Sequence, residues 1–170
     1  MTATIENVWT ALERSGLLGA DQLGAVRSEL PPTDDPRRLA LELIRRDLLT
    51  RWQAQHLLSP DQRLVLGKYR LLDQIVAGAM GTVYKAQKPG GRVFALKLIN
   101  PDKLNTPSVV ERFLREIRAV AVLDHPNIIQ AFDAESTGDT HFLVMEYVQG
   151  RTLADWIAQY ESLPIDWSCE

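Results

Sequence analysis

Apolar residues recur every three or four positions in the first 58 residues, a period typical of helices that bury one face. Ile5, Val8, Trp9 and Leu12 form the first such face, which ends near Gly16. Residues 1–58 are therefore predicted to form a module of four short helices whose tryptophans lie in the core. The apolar residues of the other three helices are Leu23, Val26 and Leu30, then Leu39, Leu43 and Ile44, then Trp52, Leu57 and Leu58.

Polar residues at the expected helix starts agree with this division. Asp35 followed by a proline is typical of an N-cap and a first helical position, and Thr50 with Gln53 three residues later is typical of a capping box. Residues 16–22 also align with residues 47–53 at an offset of 31. The alignment has two explanations, a duplicated helical hairpin or ordinary helix-loop-helix chemistry, and both stay open.

The pattern changes at residue 69 to one that predicts strands. Apolar residues over 69–76 give way to small or flexible residues at 77–81, and β-branched and aromatic residues then resume, so the small residues form a hairpin turn. Gly78 and Gly81 let backbone N–H groups approach a ligand without side chains in the way. The sequence therefore predicts a hairpin suited to holding phosphate oxygens.

A lysine lies on an apolar strand face soon afterwards. Val93, Ala95, Lys97 and Ile99 share one side of the predicted strand 93–99, because successive side chains of a strand alternate between its faces. A buried ammonium needs a negative partner, since an unpaired charge is too costly to keep away from water. The candidate partner is a helix carboxylate, Glu116.

Glu116 belongs to a predicted helix that begins with a further capping box, Ser108 with Glu111. It lies at the edge of the apolar stripe, where it can reach the sheet beneath; on the residues alone, a solvated surface role is the alternative. The fold class is α+β. The remaining predicted elements are a fourth strand at 128–132, a turn at 136–139, a fifth strand at 141–147 and a helix at 153–160.

Composition and charge exclude several classes of function. A net charge of −3 without a basic stripe gives no support to nucleic-acid or anionic-membrane binding. No apolar run reaches the 18 or more residues of a spanning helix and no signal peptide is evident, so we expect a cytoplasmic protein without a membrane segment. The single cysteine, Cys169, and three scattered histidines predict no metal site: His56, His125 and His141.

Several motifs together resemble the N-terminal lobe (N-lobe) of a protein kinase, most closely the bacterial eukaryotic-like serine/threonine kinases. Residues 76–83, VAGAMGTV, are similar to the family loop G-x-G-x-x-G-x-V with the first glycine missing. Residues 94–97, FALK, match the strand motif V-A-I-K, and the helix glutamate, His-Pro-Asn at 125–127 and Met-Glu-Tyr-Val at 145–148 follow in family order. The residue pattern predicts a helical module (1–58) and a linker (59–68). For the chain that follows, the resemblance implies a five-stranded antiparallel N-lobe sheet with one C-helix (69–150) and a truncated C-lobe (151–170).

The resemblance also implies an ATP site. Lys97 is expected to hold the α- and β-phosphates and to pair with Glu116 within about 4 Å, and these two residues are the candidate catalytic residues. Met145 guards the back of the adenine pocket, while Glu146 and Val148 offer backbone groups to the adenine edge. The other candidate nucleotide-binding residues are Val76, Ala77, Gly78, Ala79, Met80, Gly81, Val83 and Ala95.

The family motifs H-R-D-x-x-x-x-N and D-F-G, which supply the catalytic base and the Mg²⁺ ligands, do not occur in the sequence. The chain is thus expected to be a fragment or a prematurely ended product, with Mg²⁺ expected only when the C-lobe is present. Its bare apolar residues would promote association: Trp156, Ile157, Leu163, Ile165 and Trp167.

Three hypotheses follow. In the first, the chain is the ATP-binding portion of a serine/threonine kinase that binds ATP weakly, transfers no phosphate by itself, and acts on a protein substrate in its full-length parent. In the second, it is a non-catalytic, pseudokinase-like scaffold whose residues 1–58 bind a protein partner. In the third, an unrelated β-rich protein uses the hairpin only as a turn; a lysine on an apolar strand face disfavours this one.

Overall fold

The structure is a computed structural model that describes residues 4–30, 33–57, 63–79, 81–100, 102, 108–111, 115, 117 and 123–160. Residues 108–111, 115 and 117 are helical, in agreement with the predicted C-helix, but Glu116 lies outside the described residues. The helices are α1 (Ile5–Ser15), α2 (Ala20–Glu29), α3 (Pro36–Arg45), α4 (Arg51–His56) and α5 (Leu153–Tyr160). The strands are β1 (Val65–Leu66), β2 (Tyr69–Gly78), β3 (Gly81–Gln87), β4 (Val93–Ile99), β5 (Ala131–Thr137) and β6 (Thr140–Glu146).

Helices α1 to α4 form the predicted helical module, and local capping accounts for where they begin. The Asp35 carboxylate accepts from the Arg37 N–H at 2.9 Å, with proline at the first helical position. At α4, the Thr50 hydroxyl accepts from the Gln53 N–H at 3.1 Å, and the Gln53 side-chain oxygen accepts from the Thr50 N–H at 2.8 Å. The predicted capping box is therefore confirmed.

The six strands form one antiparallel sheet in the order β1-β2-β3-β4-β6-β5. Five strands were predicted and the described residues form six, because the two-residue strand β1 lies in the segment predicted to be a linker. Leu64 and Leu66 around it are 3% and 1% exposed. Of the predicted linker, the part from Leu64 to Leu66 therefore packs as part of the sheet layer.

The predicted fourth strand was misplaced. It begins at Ala131 instead of residue 128 and continues to Thr137, because the His125 carbonyl accepts from the Ile128 N–H at 3.1 Å and keeps that stretch in a turn. Ile128 and Ile129 are accordingly 49% and 57% exposed. The fifth strand was predicted to within one residue, and only Gly138 and Asp139 separate the two strands.

One side of the sheet is buried, and we call it the core face. The helical module supplies the other half of the same apolar cluster, in which Trp9 and Trp52 are each 9% exposed as predicted for core residues. Because the cluster crosses the predicted boundary between module and sheet, each contributes to burying the other. The buried sheet residues of the core face are Leu71, Ala86, Phe94, Leu96, Phe142 and Val144.

Tyr69 lies across the core face at the start of β2. Its ring packs edge-on against Phe94 at 5.8 Å and Phe142 at 6.0 Å, and its hydroxyl donates to the Glu135 carboxylate at 2.8 Å. Lys68 Nζ lies 2.8 Å from the same carboxylate. Burial and the hydrogen bond to Glu135 raise the pKa of Tyr69. For Glu135, burial by itself would raise the pKa, but the hydrogen bonds from Lys68 and Tyr69 outweigh burial and lower it.

Helix α5 has no buried residue. Leu153, Ile157 and Tyr160 are 62%, 45% and 52% exposed, and the Tyr160 ring stacks on Trp156 at 5.1 Å. The expected bare apolar surface is therefore present at Ile157. Three other residues of that prediction lie outside the described residues: Leu163, Ile165 and Trp167.

Candidate functional site

The hairpin between β2 and β3 gives its two glycines different roles. Gly81 has a φ of +139°, and a Cβ there would lie 1.8 Å from the Leu98 carbonyl oxygen, so the sheet itself requires glycine. Among the residues that the structure describes, which leave out Met80, a Cβ on Gly78 would meet only the Gly81 carbonyl oxygen, at 4.0 Å. These residues therefore leave room for a ligand to approach the Gly78 backbone.

Lys97 lies in a row of residues that crosses four strands. In the register of the sheet, Val76 is paired with Val83, Val83 with Lys97, and Lys97 with Leu143. Directly paired residues of antiparallel strands point to the same side of a sheet. This side, which we call the Lys97 face, is opposite the core face.

A second row on the Lys97 face runs beside the first. Lys85 is paired with Ala95, and Ala95 with Met145, while Ala95 is 7% exposed and Met145 is half-buried. Val83 lies two residues from Lys85 on the same strand and thus on the same side. Lys97 is thereby flanked by the hairpin on one side and by a small apolar surface on the other.

The predicted partner of Lys97 cannot be placed. Glu116 lies outside the described residues, and so does Met80 at the hairpin tip. Among the residues that the structure does describe, no carboxylate lies within 4.0 Å of Lys97 Nζ. The Lys97–Glu116 ion pair therefore stays a prediction.

The end of β6 forms the far edge of the Lys97 face. The Glu146 backbone N–H donates to the Gln130 carbonyl at 2.9 Å, so this N–H is already used within the protein. Val148 follows the strand and its side chain is 59% exposed. Met145, Glu146 and Val148 are consequently brought to the same edge as Ala95, whereas Ala77 and Ala79 lie at the hairpin and are exposed.

The sequence reasoning did not single out Lys85. Its ammonium lies 4.7 Å from the centre of the Tyr147 ring, at the edge where β6 ends. Alternation along β3 from Val83 would have placed it beside Lys97. The Lys97 face thus carries Lys85 as well as Lys97, and the carboxylate residue Asp73 is paired with Lys85 across β2 and β3, which leaves Lys97 as the cation nearer the hairpin.

The described residues contain no group of three or more side chains that could hold a metal ion. Within the same residues, no helix has the length and apolar character needed to cross a bilayer.

Comparisons of the sequence with known proteins point to one family. The protein kinase domain model matches residues 69–166, more than half of the chain. A probable serine/threonine-protein kinase of Clostridium perfringens is 36% identical over 104 residues, which are 60% of this chain and 15% of that protein. Serine/threonine-protein kinase PrkC of Bacillus subtilis is 37% identical over 94 residues, 55% of this chain and 14% of that protein.

Solved structures give the same result at the level of the fold. A double mutant of the Mycobacterium tuberculosis PknI kinase domain superposes with a TM-score of 0.55 at 29% identity, covering 61% of this chain and 43% of that one. The chain spans 12 to 16% of the length of the curated relatives that it matches. On the motif order, the sheet and these matches, the chain belongs to the protein kinase family and contains the N-lobe of a serine/threonine kinase.

Proposed function

We propose that this chain is the ATP-binding portion of a serine/threonine protein kinase, whose parent transfers a phosphoryl group from ATP to Ser or Thr hydroxyls of a protein substrate. The observation that carries the proposal is the row Val76–Val83–Lys97–Leu143, which sets Lys97 on the half-buried face directly beside the glycine-rich hairpin. Kinases of this family use ATP together with Mg²⁺.

Each part of the nucleotide has a matching part of the Lys97 face. The phosphates occupy the space beside Gly78, where backbone N–H groups can approach them, and Lys97 neutralises their charge. Val83, Ala95 and Met145 offer the apolar surface that a purine ring needs. Glu146, through its carbonyl, and Val148, through its backbone, then contact the adenine edge.

Two parts of the mechanism need residues beyond those placed so far. Glu116 is proposed to orient Lys97 by an ion pair. The ligands of Mg²⁺ and the catalytic base are proposed to come from the family motifs that the sequence does not contain. This chain by itself therefore binds nucleotide without transferring phosphate, because positioning and charge stabilisation supply most of the catalysis in this family.

Calorimetric titration of the purified chain with ATP and Mg²⁺ tests the binding step. We expect binding weaker than micromolar, reduced about tenfold or more in Lys97→Met, because a charge-assisted contact contributes about 1.5–3 kcal/mol. Lys88→Met is the matched control, since Lys88 is an exposed lysine in the turn after β3. Submicromolar affinity, or equal losses in the two variants, would contradict the proposal.

Phosphoryl transfer needs a separate assay with radiolabelled ATP. The 170-residue chain is expected to label no protein substrate, whereas a version that includes H-R-D and D-F-G motifs labels Ser or Thr in a Lys97-dependent way. Lys97-dependent labelling by the 170-residue chain would refute this part of the proposal.

The second candidate is the scaffold function, in which the helical module binds a protein partner and no nucleotide is used. The replacement of the first glycine by Val76, which is 55% exposed, favours it, because a β-branched residue stiffens the entrance to the hairpin. A folded chain that binds no ATP at millimolar concentration would support the scaffold over the kinase.

A further inference from the structure

Strand β2 has two irregularities, one at Leu72 and one at Ile75, and the first lies six residues before Gly78. Leu71 is paired with Ala86 and Asp73 with Lys85, so Leu72 is an extra residue and forms a β-bulge. A bulge interrupts the ladder, and its backbone carbonyls then need other donors when they are shielded from water. The course of β2 from Leu72 to the second bulge at Ile75, and from there toward Gly78, depends on how the Leu72 bulge is held.

Helix α4 supplies both donors from its first turn. The Gln53 side-chain amide donates to the Leu71 carbonyl at 2.7 Å, and the Thr50 hydroxyl donates to the Leu72 carbonyl at 2.6 Å. Gln53 is only 4% exposed. Since Thr50 and Gln53 also form the capping box, each side chain accepts within the helix and donates to the sheet.

The second strand of the hairpin is held by the same helix. The Trp52 ring packs edge-on against Tyr84 of β3, with centroids 5.6 Å apart, and Tyr84 is paired with Gln74 of β2. Beyond Leu72, residues 73–79 are all exposed. The start of α4 is therefore the place where the helical module can fix the hairpin.

We propose that Thr50 and Gln53 are positioning residues for the glycine-rich hairpin, so that the helical module sets how tightly the hairpin closes over the phosphates of a bound nucleotide. The nucleotide part of this inference rests on the proposed function. The mechanical part, in which α4 restrains β2 and β3, rests only on the contacts above.

Gln53→Glu and Thr50→Asp test the proposal, because each keeps an oxygen that can accept in the capping box but loses the donor to the bulge. The matched control is Gln22→Glu: the Gln22 side-chain oxygen accepts from the Gly19 N–H at 3.1 Å in the corresponding turn of α2, which is exposed and away from the sheet. The first readout is amide hydrogen exchange over residues 73–84.

We expect exchange over 73–84 to be about tenfold faster in both test variants and unchanged in the control. The second readout is the affinity for ATP beside that for adenosine. ATP affinity should fall about three- to tenfold in the test variants with adenosine affinity unchanged, because adenosine has no phosphates for the hairpin to cover.

Unchanged exchange over 73–84 in both variants would overturn the proposal, as would equal losses of ATP and adenosine affinity. Failure of both variants to fold would overturn it as well, since the bulge contacts would then be needed for the fold and not for placing the hairpin. If the unmodified chain binds neither ligand, the proposed function fails, while the exchange measurement still decides whether α4 restrains the hairpin.

Discussion

The two faces of the sheet differ in what covers them and in what their residues do. On the core face, Leu96 and Phe142 are fully buried and Tyr69 and the helical module pack over them. On the Lys97 face, the residues next to them in sequence, Lys97 and Leu143, are only half-buried. Every second residue of such a strand thus contributes to stability, while the residues between are those proposed to bind the ligand, so stability and binding can be tested with separate substitutions.

The largest effect should come from comparing adjacent residues of β6. Phe142→Ala on the core face is expected to lower the free energy of unfolding by about 3–5 kcal/mol, whereas Leu143→Ala on the Lys97 face should cost about 1 kcal/mol, because less apolar area is lost. Urea denaturation followed by circular dichroism measures both. Equal losses would mean that the two faces are buried alike.

The next largest effect is expected at the two hairpin glycines, where one substitution should lower stability and the other should lower ATP affinity. Gly81→Ala is expected to cost about 2 kcal/mol or more, because a Cβ there has no room against the Leu98 carbonyl and φ is positive. Gly78→Ala should change stability by less than about 1 kcal/mol. Thermal unfolding and ATP titration of each variant test this: Gly78→Ala should lose affinity while it stays folded, and a stable Gly81→Ala protein would contradict the structure.

The contacts of Glu135 with Tyr69 and Lys68 predict that the free energy of unfolding depends on pH. The pKa of Glu135 is lower in the folded chain than in the unfolded one, so its contribution to stability is present above the unfolded pKa, about 4.3, and is lost as pH falls through the folded value. Glu135→Gln should therefore cost about 1 kcal/mol at neutral pH. Denaturation at pH 7 and pH 3 should show this difference disappearing in acid; a constant difference would exclude the cluster as its cause.

The smallest effect is expected on the outer surface of the helical module. Arg27 lies 3.9 Å from Glu6 and 3.8 Å from Glu13, and its side chain is 55% exposed. Such exposed pairs contribute about 0–1 kcal/mol and are screened by salt. Arg27→Gln should shift unfolding by no more than that at low salt, and by less in 1 M NaCl; a larger, salt-independent loss would point to the Trp9 ring, 5.4 Å from the Arg27 guanidinium.

Local signals predicted the helical module well. Asp35 and Thr50 begin their helices where expected, because a cap is decided by residues within one turn. The position of Lys97 beside Ala95 also followed from alternation along a single strand. These features need no information from distant parts of the chain.

The features that were missed depend on residues far apart in sequence. The polar stretch around Asp133 and Glu135 looks like a loop, yet it is strand because β6 pairs with it. Gly81 must be glycine because its Cα lies against the Leu98 carbonyl of β4, whereas Gly78 has no such neighbour among the described residues. The bulge at Leu72 likewise changes the alternation along β2, which no periodicity within the strand reveals.

The contact between Tyr69 and Glu135 joins residues 66 positions apart, and this has a consequence for how the chain is made. A ribosome delivers the helical module and β1 to β4 well before Glu135, so the core face is left without Tyr69's hydrogen-bond acceptor while synthesis continues. During that interval the module, which precedes the sheet in the chain, is already available to cover Leu96 and Phe94. We therefore expect the helical module to cover the apolar core face of the sheet until β5 and β6 have been synthesised.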